Sequence, residues 1–172
     1  LQRVEPRKSA RSATERLLPL AGAADDPTSS ASFYPRLQRR MKAGDTLVVD
    51  TGTCMLHLHG MQLPAGVGVE EQGLWGSIGW ATPACLGVDL AKTSGRTWLV
   101  TGDGSHQLTL NELAVMGRYG IKPVIFVLNN GLFGVEVVIS EWGHPYDDLA
   151  PVEYHRLPAA FGCAGWLSAR VT

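Results

Sequence analysis

Apolar residues in this 172-residue chain gather in short, β-branched-rich runs, and longer stretches with apolar positions three or four apart lie between them. Leu47-Val48-Val49-Asp50, the run ending at Thr101 (97–101), the run from Val124 to Asn129, and Trp166 to Val171 have strand length and composition. Helical spacing is seen at Phe33, Leu37 and Met41, from the Leu74–Gly79 stretch to about Lys92, and from about His106 to Tyr119. It recurs from Val152 to Phe161, interrupted or ended near Pro158. Gly120 and Pro123 mark the stop of the third helix. Gly60 to Gln72, with Pro64, Gly66 and Gly68, reads as loop, and so does Glu141 to Asp148. Strands alternating with helices predict an α/β fold built on a doubly wound parallel sheet.

Three of the four strand runs end in polar, glycine-containing segments. They are Thr51-Gly52-Thr53, Gly102-Asp103-Gly104-Ser105 and Asn129-Asn130-Gly131. In open parallel sheets ligands bind just beyond the carboxyl ends of the strands. Gly102 and Gly104 are expected to let the backbone turn sharply beside Asp103 and approach a ligand closely, and the helix that follows would aim free N–H groups at an anion. Asp103 with the Asn129-Asn130 pair supplies hard oxygen donors, which suits a phosphate held together with Mg²⁺. Taken singly, each tripeptide is equally an ordinary turn.

Residues 1 to 32 lack apolar periodicity, start with a basic bias and continue rich in Ala, Asp, Ser and Thr, as expected of a linker ahead of a domain over 33–172. His57 and His59 flank Leu58 near Cys54; on a strand such a pair could bind zinc, but no second ligand cluster is evident, and a place lining the pocket suits them better. Cys54, Cys85 and Cys163 are far apart, as small apolar residues of a reducing, cytoplasmic compartment would be. Lys and Arg number 15 against 16 Asp and Glu, a net charge of −1, which speaks against a nucleic-acid or anionic-membrane surface. No apolar run reaches membrane-spanning length.

Gly102-Asp103-Gly104-Ser105 through Asn129-Asn130 resembles the thiamine-diphosphate-binding motif. Gly73-Leu74-Trp75-Gly76-Ser77-Ile78-Gly79, Gln107-Leu108-Thr109, Asn111-Glu112-Leu113 and Phe126-Val127-Leu128-Asn129-Asn130 match, in order, the pyruvate and indolepyruvate decarboxylase branch of thiamine-dependent 2-oxo-acid decarboxylases. The likeness covers about residues 33 to 172. It implies the diphosphate- and Mg²⁺-binding half of an enzyme that releases carbon dioxide and an aldehyde from a 2-oxo acid. Acetolactate-synthase-like carboligation and a catalytically inert module remain the alternatives.

By the same resemblance, Thr51, Gly52 and Thr53 lie against the aminopyrimidine ring. Gly76, with Ser77 beside it, offers a carbonyl to the exocyclic amine, and Ile78 wedges under the bend of the cofactor. Gly102, Asp103, Gly104 and Ser105 hold the diphosphate. Asp103, the Asn130 amide and the Leu132 carbonyl hold Mg²⁺. Leu132, Phe133, Gly134 and Val135 stand where the family usually has glycine, tyrosine, threonine and a branched apolar residue. Gly134 therefore lacks a hydroxyl for the diphosphate and keeps only its N–H, while Glu136 retains the family's active-site carboxylate. The glutamate that activates the pyrimidine, and a His-His pair, belong in that family to a separate pyrimidine-binding domain. The resemblance thus implies a truncated half-site completed by another domain or polypeptide in a homo- or hetero-oligomer.

Overall fold

A computed structural model describes residues 17–140 and 144–165. Four strands form one sheet: β1 (Thr46–Val49), β2 (Gly68–Glu71), β3 (Thr97–Gly102) and β4 (Val124–Leu128). Every pairing is parallel, and the order across the sheet is β2-β1-β3-β4. Val48 sits opposite Leu99, and Leu99 opposite Ile125, in the central register. From β1 the chain goes outward to β2, then crosses back to β3 on the other side of β1 and continues to β4. The winding direction therefore reverses between β1 and β3, where a doubly wound sheet opens a crevice at its carboxyl edge.

Side-chain alternation along the strands builds two cores. Leu47 and Val49 of β1, Trp98 and Val100 of β3 and Phe126 of β4 pack under α1 (Ser30–Arg40) and α2 (Thr53–His59), through Tyr34, Leu37, Cys54 and Leu58. Val48, Leu99 and Ile125, one residue out of phase, pack under α3 (Ala81–Ala91) and α5 (Glu112–Tyr119), through Ala81, Cys85, Leu113 and Met116. Helices thus cover both faces of the sheet, as the apolar runs predict for strands buried on both sides.

Local chemistry sets the helix ends. Ser29 caps α1 in a reciprocal box with Ser32, so the helix starts at Ser30, ahead of Phe33. Gly120 takes a left-handed conformation (φ 66°) after α5, and the Ile121 N–H reaches back to the Met116 carbonyl at 2.9 Å.

Four expectations are corrected. Residues 68–71 form the edge strand β2 and not loop; all four are exposed, so Gly-Val-Glu-Glu carries no burial pattern to read. The single helix expected near His106–Tyr119 is two, α4 (Asp103–Thr109) and α5. Between them Leu113 and Ala114 bond three residues back, while the Thr109 hydroxyl donates to the Gly79 carbonyl at 2.8 Å. The stretch near Val152–Phe161 holds only a 3-10 turn (Tyr154–Arg156) and the short α7 (Leu157–Ala160). Pro158 lies in the first turn of α7 and opens that helix instead of ending it. The expected strand at 166–171 lies outside the described residues.

Candidate functional site

The carboxyl ends of β1, β3 and β4 open onto one edge of the sheet, and the loops that leave them are joined to each other. Asp103 is the first residue of α4 and is buried. Its Oδ2 accepts the Gly131 N–H at 2.7 Å, which ties the end of β3 to the loop after β4. In that loop the Asn130 Oδ1 accepts the Leu132 N–H at 3.1 Å. The segment is held from outside by a short antiparallel contact: Leu132 bridges Asp148, the Phe133 N–H donates to the Asp147 carbonyl, and the Leu149 N–H donates to the Gly131 carbonyl. Then α6 (Gly134–Ile139) begins, with Glu136 exposed in its first turn.

The loop after β1 joins the same cluster. A Cβ built on Gly134 would lie 3.4 Å from the Asn130 amide nitrogen and 3.5 Å from the Thr53 methyl. One on Gly76 would lie 3.9 Å from the Thr51 methyl. Thr51 also donates its hydroxyl to the Gln72 carbonyl at 2.9 Å, holding the Gly73–Gly79 stretch beside β1. Gly52 (φ 146°) precedes α2 and allows Thr53 to open that helix. Ile78 is 40 % exposed, and Ser77 is exposed. The sequence-predicted residues from four separate segments are thus gathered around one edge. Asn129 is the exception: its amide turns toward the Val152 carbonyl.

The sharp turn expected of the glycines in Gly102-Asp103-Gly104 is not found, and the close approach also expected of them is met by a side chain of this chain. Gly102 is extended (φ −78°) and Gly104 is helical, so neither needs a left-handed backbone. What Gly104 provides is close approach. A Cβ there would fall 2.5 Å from the Phe133 ring, which lies directly on the helix start. His57 and His59 are also corrected. They sit on α2, where residues two apart point away from each other. His57 stacks on Tyr34, and His59 pairs with Glu71 at 3.1 Å, so neither lines the crevice. Among the described residues no three His, Cys, Asp or Glu side chains cluster to hold a metal, which removes the zinc reading.

A cation at Asp103 needs no such cluster. One carboxylate, one amide oxygen and one backbone carbonyl form an all-oxygen set, the kind a small divalent cation takes while keeping phosphate or water oxygens in its other positions. Asp103, Asn130 and Leu132 bring those oxygens to adjacent strand ends. Asp147, in the strand-like segment that braces them, is a further buried carboxyl group that no donor among the described residues satisfies. The residues present therefore fit a cation-bridged diphosphate.

Three polar residues of this region were not marked as site residues by the sequence. Asp50 follows β1, is fully buried and accepts from Gly79 N–H and Thr51 N–H on Oδ1, each at 3.1 Å, and from the Thr101 hydroxyl on Oδ2 at 2.8 Å, with the Ala81 N–H also acting on the carboxylate. Burial pushes its carboxyl above the usual range, and these donors pull it back. His106, buried on α4, lies 3.1 Å from the Thr82 hydroxyl, and burial lowers its pKa to about 4. The Tyr154 hydroxyl accepts from the Gln107 amide at 2.6 Å and donates to the Asp103 carbonyl at 3.3 Å. An acid closing an apolar run was visible at Asp50; its partners, 29 and 51 residues away, were not.

Fold and site together define an open α/β domain with a ligand crevice at the switch point of its sheet. The chain belongs to the thiamine pyrophosphate enzymes: the family model of their C-terminal TPP binding domain matches residues 50–172. It is 40 % identical over 141 residues to a pyruvate decarboxylase of Aspergillus fumigatus, covering 80 % of this chain and 25 % of that protein. It is 36 % identical over 148 residues to an alpha-keto-acid decarboxylase of Mycobacterium tuberculosis, covering 86 % of this chain and 26 % of that one. An X-ray structure described as a thiamin diphosphate-dependent enzyme from Mycobacterium smegmatis superposes with a TM-score of 0.65 at 23 % identity. It covers 81 % of this chain and 26 % of that chain, and shows the fold. The chain spans about a quarter of the length of these relatives. No helix among the described residues is long and apolar enough to cross a membrane.

Proposed function

We propose that this chain holds the diphosphate of thiamine diphosphate through Mg²⁺ and forms one half of a 2-oxo-acid decarboxylase site, the other half coming from a pyrimidine-binding domain. The observation that carries this is the 2.7 Å bond from the Gly131 N–H to the Asp103 carboxylate. It joins the two strand ends whose oxygens make up the cation site. The relatives named as decarboxylases support the reaction class.

Asp103, the Asn130 amide oxygen and the Leu132 carbonyl would hold the cation. The Asn130 amide oxygen, which here accepts the Leu132 N–H, would be the amide donor to the metal. Gly102, Gly104 and Ser105 present backbone and hydroxyl groups to the diphosphate at the start of α4, and Gly134 contributes its N–H. Thr51, Gly52 and Thr53 face the aminopyrimidine ring, together with Gly76 and its neighbour Ser77. Phe133 packs directly on Gly104 at the start of α4. Bound thiamine diphosphate supplies the nucleophilic carbon that lets a 2-oxo acid lose carbon dioxide. Ile78, stiff at χ1, would set the bend that brings the cofactor's two rings together. Glu136, at the mouth of the crevice, would move a proton to or from the bound substrate.

Calorimetry tests the cation site. Asp103→Ala is expected to abolish Mg²⁺-dependent binding of thiamine diphosphate, because it removes the only carboxylate of the set. Unchanged affinity would contradict the site.

A further inference from the structure

The stretch from Gly73 to Gly79 carries Ile78 on an exposed loop: Leu74 is 88 % and Trp75 78 % exposed. A wedge that sets reactive geometry needs a fixed base, and few contacts supply one. The Thr51 hydroxyl holds the loop at Gln72, before it starts. At its far end Gly79 is fixed on both sides of its peptide group. Its N–H donates to Asp50 at 3.1 Å, and its carbonyl accepts from Thr109 at 2.8 Å. Gly79 itself is left-handed (φ 82°), and a Cβ there would fall 2.9 Å from Leu108 and 3.2 Å from the Ser105 carbonyl. No other residue fits at that point without displacing α4.

Asp50 is the anchor that reaches the sheet. Its backbone N–H continues the ladder to the Val100 carbonyl at 3.0 Å. Its Oδ2 is fixed by Thr101 on the neighbouring strand, so Oδ1 has one orientation from which to hold Gly79. The side chain thus lies at the switch point between β1 and β3 and ties Ile78's neighbour to both central strands. A fully buried carboxyl group costs stability unless hydrogen bonds compensate it, and those of Asp50 go to Thr51, Gly79 and Thr101. We infer that Asp50 is a positioning residue for the proposed reaction: it sets where Ile78 stands relative to the crevice, and acts on rate through Ile78 without touching the cofactor. This rests on the thiamine diphosphate reading of the site.

The test compares Asp50→Ala and Asp50→Asn with the unaltered chain, alone for amide exchange and together with a pyrimidine-binding domain for turnover. Asparagine keeps an oxygen for the two N–H donors, and the Thr101 hydroxyl can turn to accept from its amide. In Asp50→Ala the Gly79 amide is expected to exchange about tenfold faster, the loss of roughly one hydrogen bond, while the Leu99 and Val100 amides keep their protection. Turnover should fall about tenfold to a hundredfold, with half-saturating thiamine diphosphate nearly unchanged, since misplacement near the reacting atoms acts on rate. Asp50→Asn should restore most of both. Unchanged Gly79 exchange, equal losses of rate and cofactor affinity, or an asparagine variant as slow as alanine would each overturn the proposal. Should Asp50→Ala not fold, Thr101→Val takes its place. It removes the Thr101 bond to Oδ2, and the same split between rate and affinity is required of it. If the unaltered chain and its partner domain release no carbon dioxide, the decarboxylase reading fails, and the Gly79 exchange pattern alone decides whether Asp50 is the clamp.

Discussion

Ile78 and His106 show how single residues set what this site can do. Ile78 is partly exposed on a loop fixed at Gly79, and the proposed function puts it under the bend of the cofactor. Ile78→Ala should lower turnover in the completed enzyme more than it weakens cofactor binding, because a branched side chain fixes geometry and adds little affinity. Separate titrations of rate and of bound cofactor measure this, and equal losses would count against the wedge. His106 makes a prediction about pH. Its pKa falls from 6.5 to about 4 on folding because burial disfavours the imidazolium. The unfolded chain therefore binds the extra proton first. The stability tied to neutral His106 is full above pH 6.5 and declines as the pH falls toward about 4, with a slope of up to about 1.4 kcal/mol per pH unit. His106→Leu should flatten that part of the stability–pH curve measured by urea unfolding. An unchanged slope would show that the proton enters elsewhere.

At the scale of elements, what could be read from sequence was decided by burial. Strands β1, β3 and β4 match their expected positions to within a residue because their apolar runs serve two cores at once. The edge strand β2 could not be read, since its exposed Gly-Val-Glu-Glu owes its conformation to pairing with β1 alone. The break between α4 and α5 depends on a bond from Thr109 to Gly79, 30 residues away in sequence. The motif residues at the strand ends drew notice only together, because three strand runs end in such segments and their order resembles a family motif; singly, each glycine, aspartate or asparagine reads as an ordinary turn residue. Asp50 was not legible, because one acid after an apolar run looks like any strand end. Asp45 behaves in the same way at the opposite end of the sheet. Its carboxylate accepts from Arg96 N–H at 2.9 Å, the Trp98 indole at 3.0 Å and Lys42 N–H at 3.1 Å, joining the α1–β1 turn to β3. Burial alone would raise its pKa, but these donors together hold it below the usual value. Asp45→Ala should cost about 2 kcal/mol or more at neutral pH by leaving those donors unpaired. A depressed pKa gives stability that is present above the unfolded value and lost as pH falls through the folded one. The gap between variant and parent should therefore narrow below pH 4. Denaturation at pH 7 and pH 3 checks both parts.

At the scale of the whole molecule, large apolar side chains are exposed in several places, Leu90 and Tyr119 at the ends of α3 and α5 among them. Its two cores close around the sheet, while Leu74, Trp75, Leu108, Val138 and Ile139 remain exposed on elements that surround the crevice. A catalytic crevice must exclude water, and apolar surface left open is surface meant to be covered. The site's carboxyl groups are Asp103 for the cation, Asp147 in the segment that braces it, Asp50 for the loop and Glu136 in the first turn of α6; in the proposed enzyme the activation of the pyrimidine falls to the second domain. The most direct test is carbon dioxide release from a panel of aliphatic, branched and aromatic 2-oxo acids. The purified chain is assayed with thiamine diphosphate and Mg²⁺, alone and together with a pyrimidine-binding domain, fused or in trans. The expected result is no turnover by the chain alone and release from at least one 2-oxo acid by the pair. Turnover by the chain alone, or silence of every pair with the cofactor shown to be bound, would contradict the half-site account.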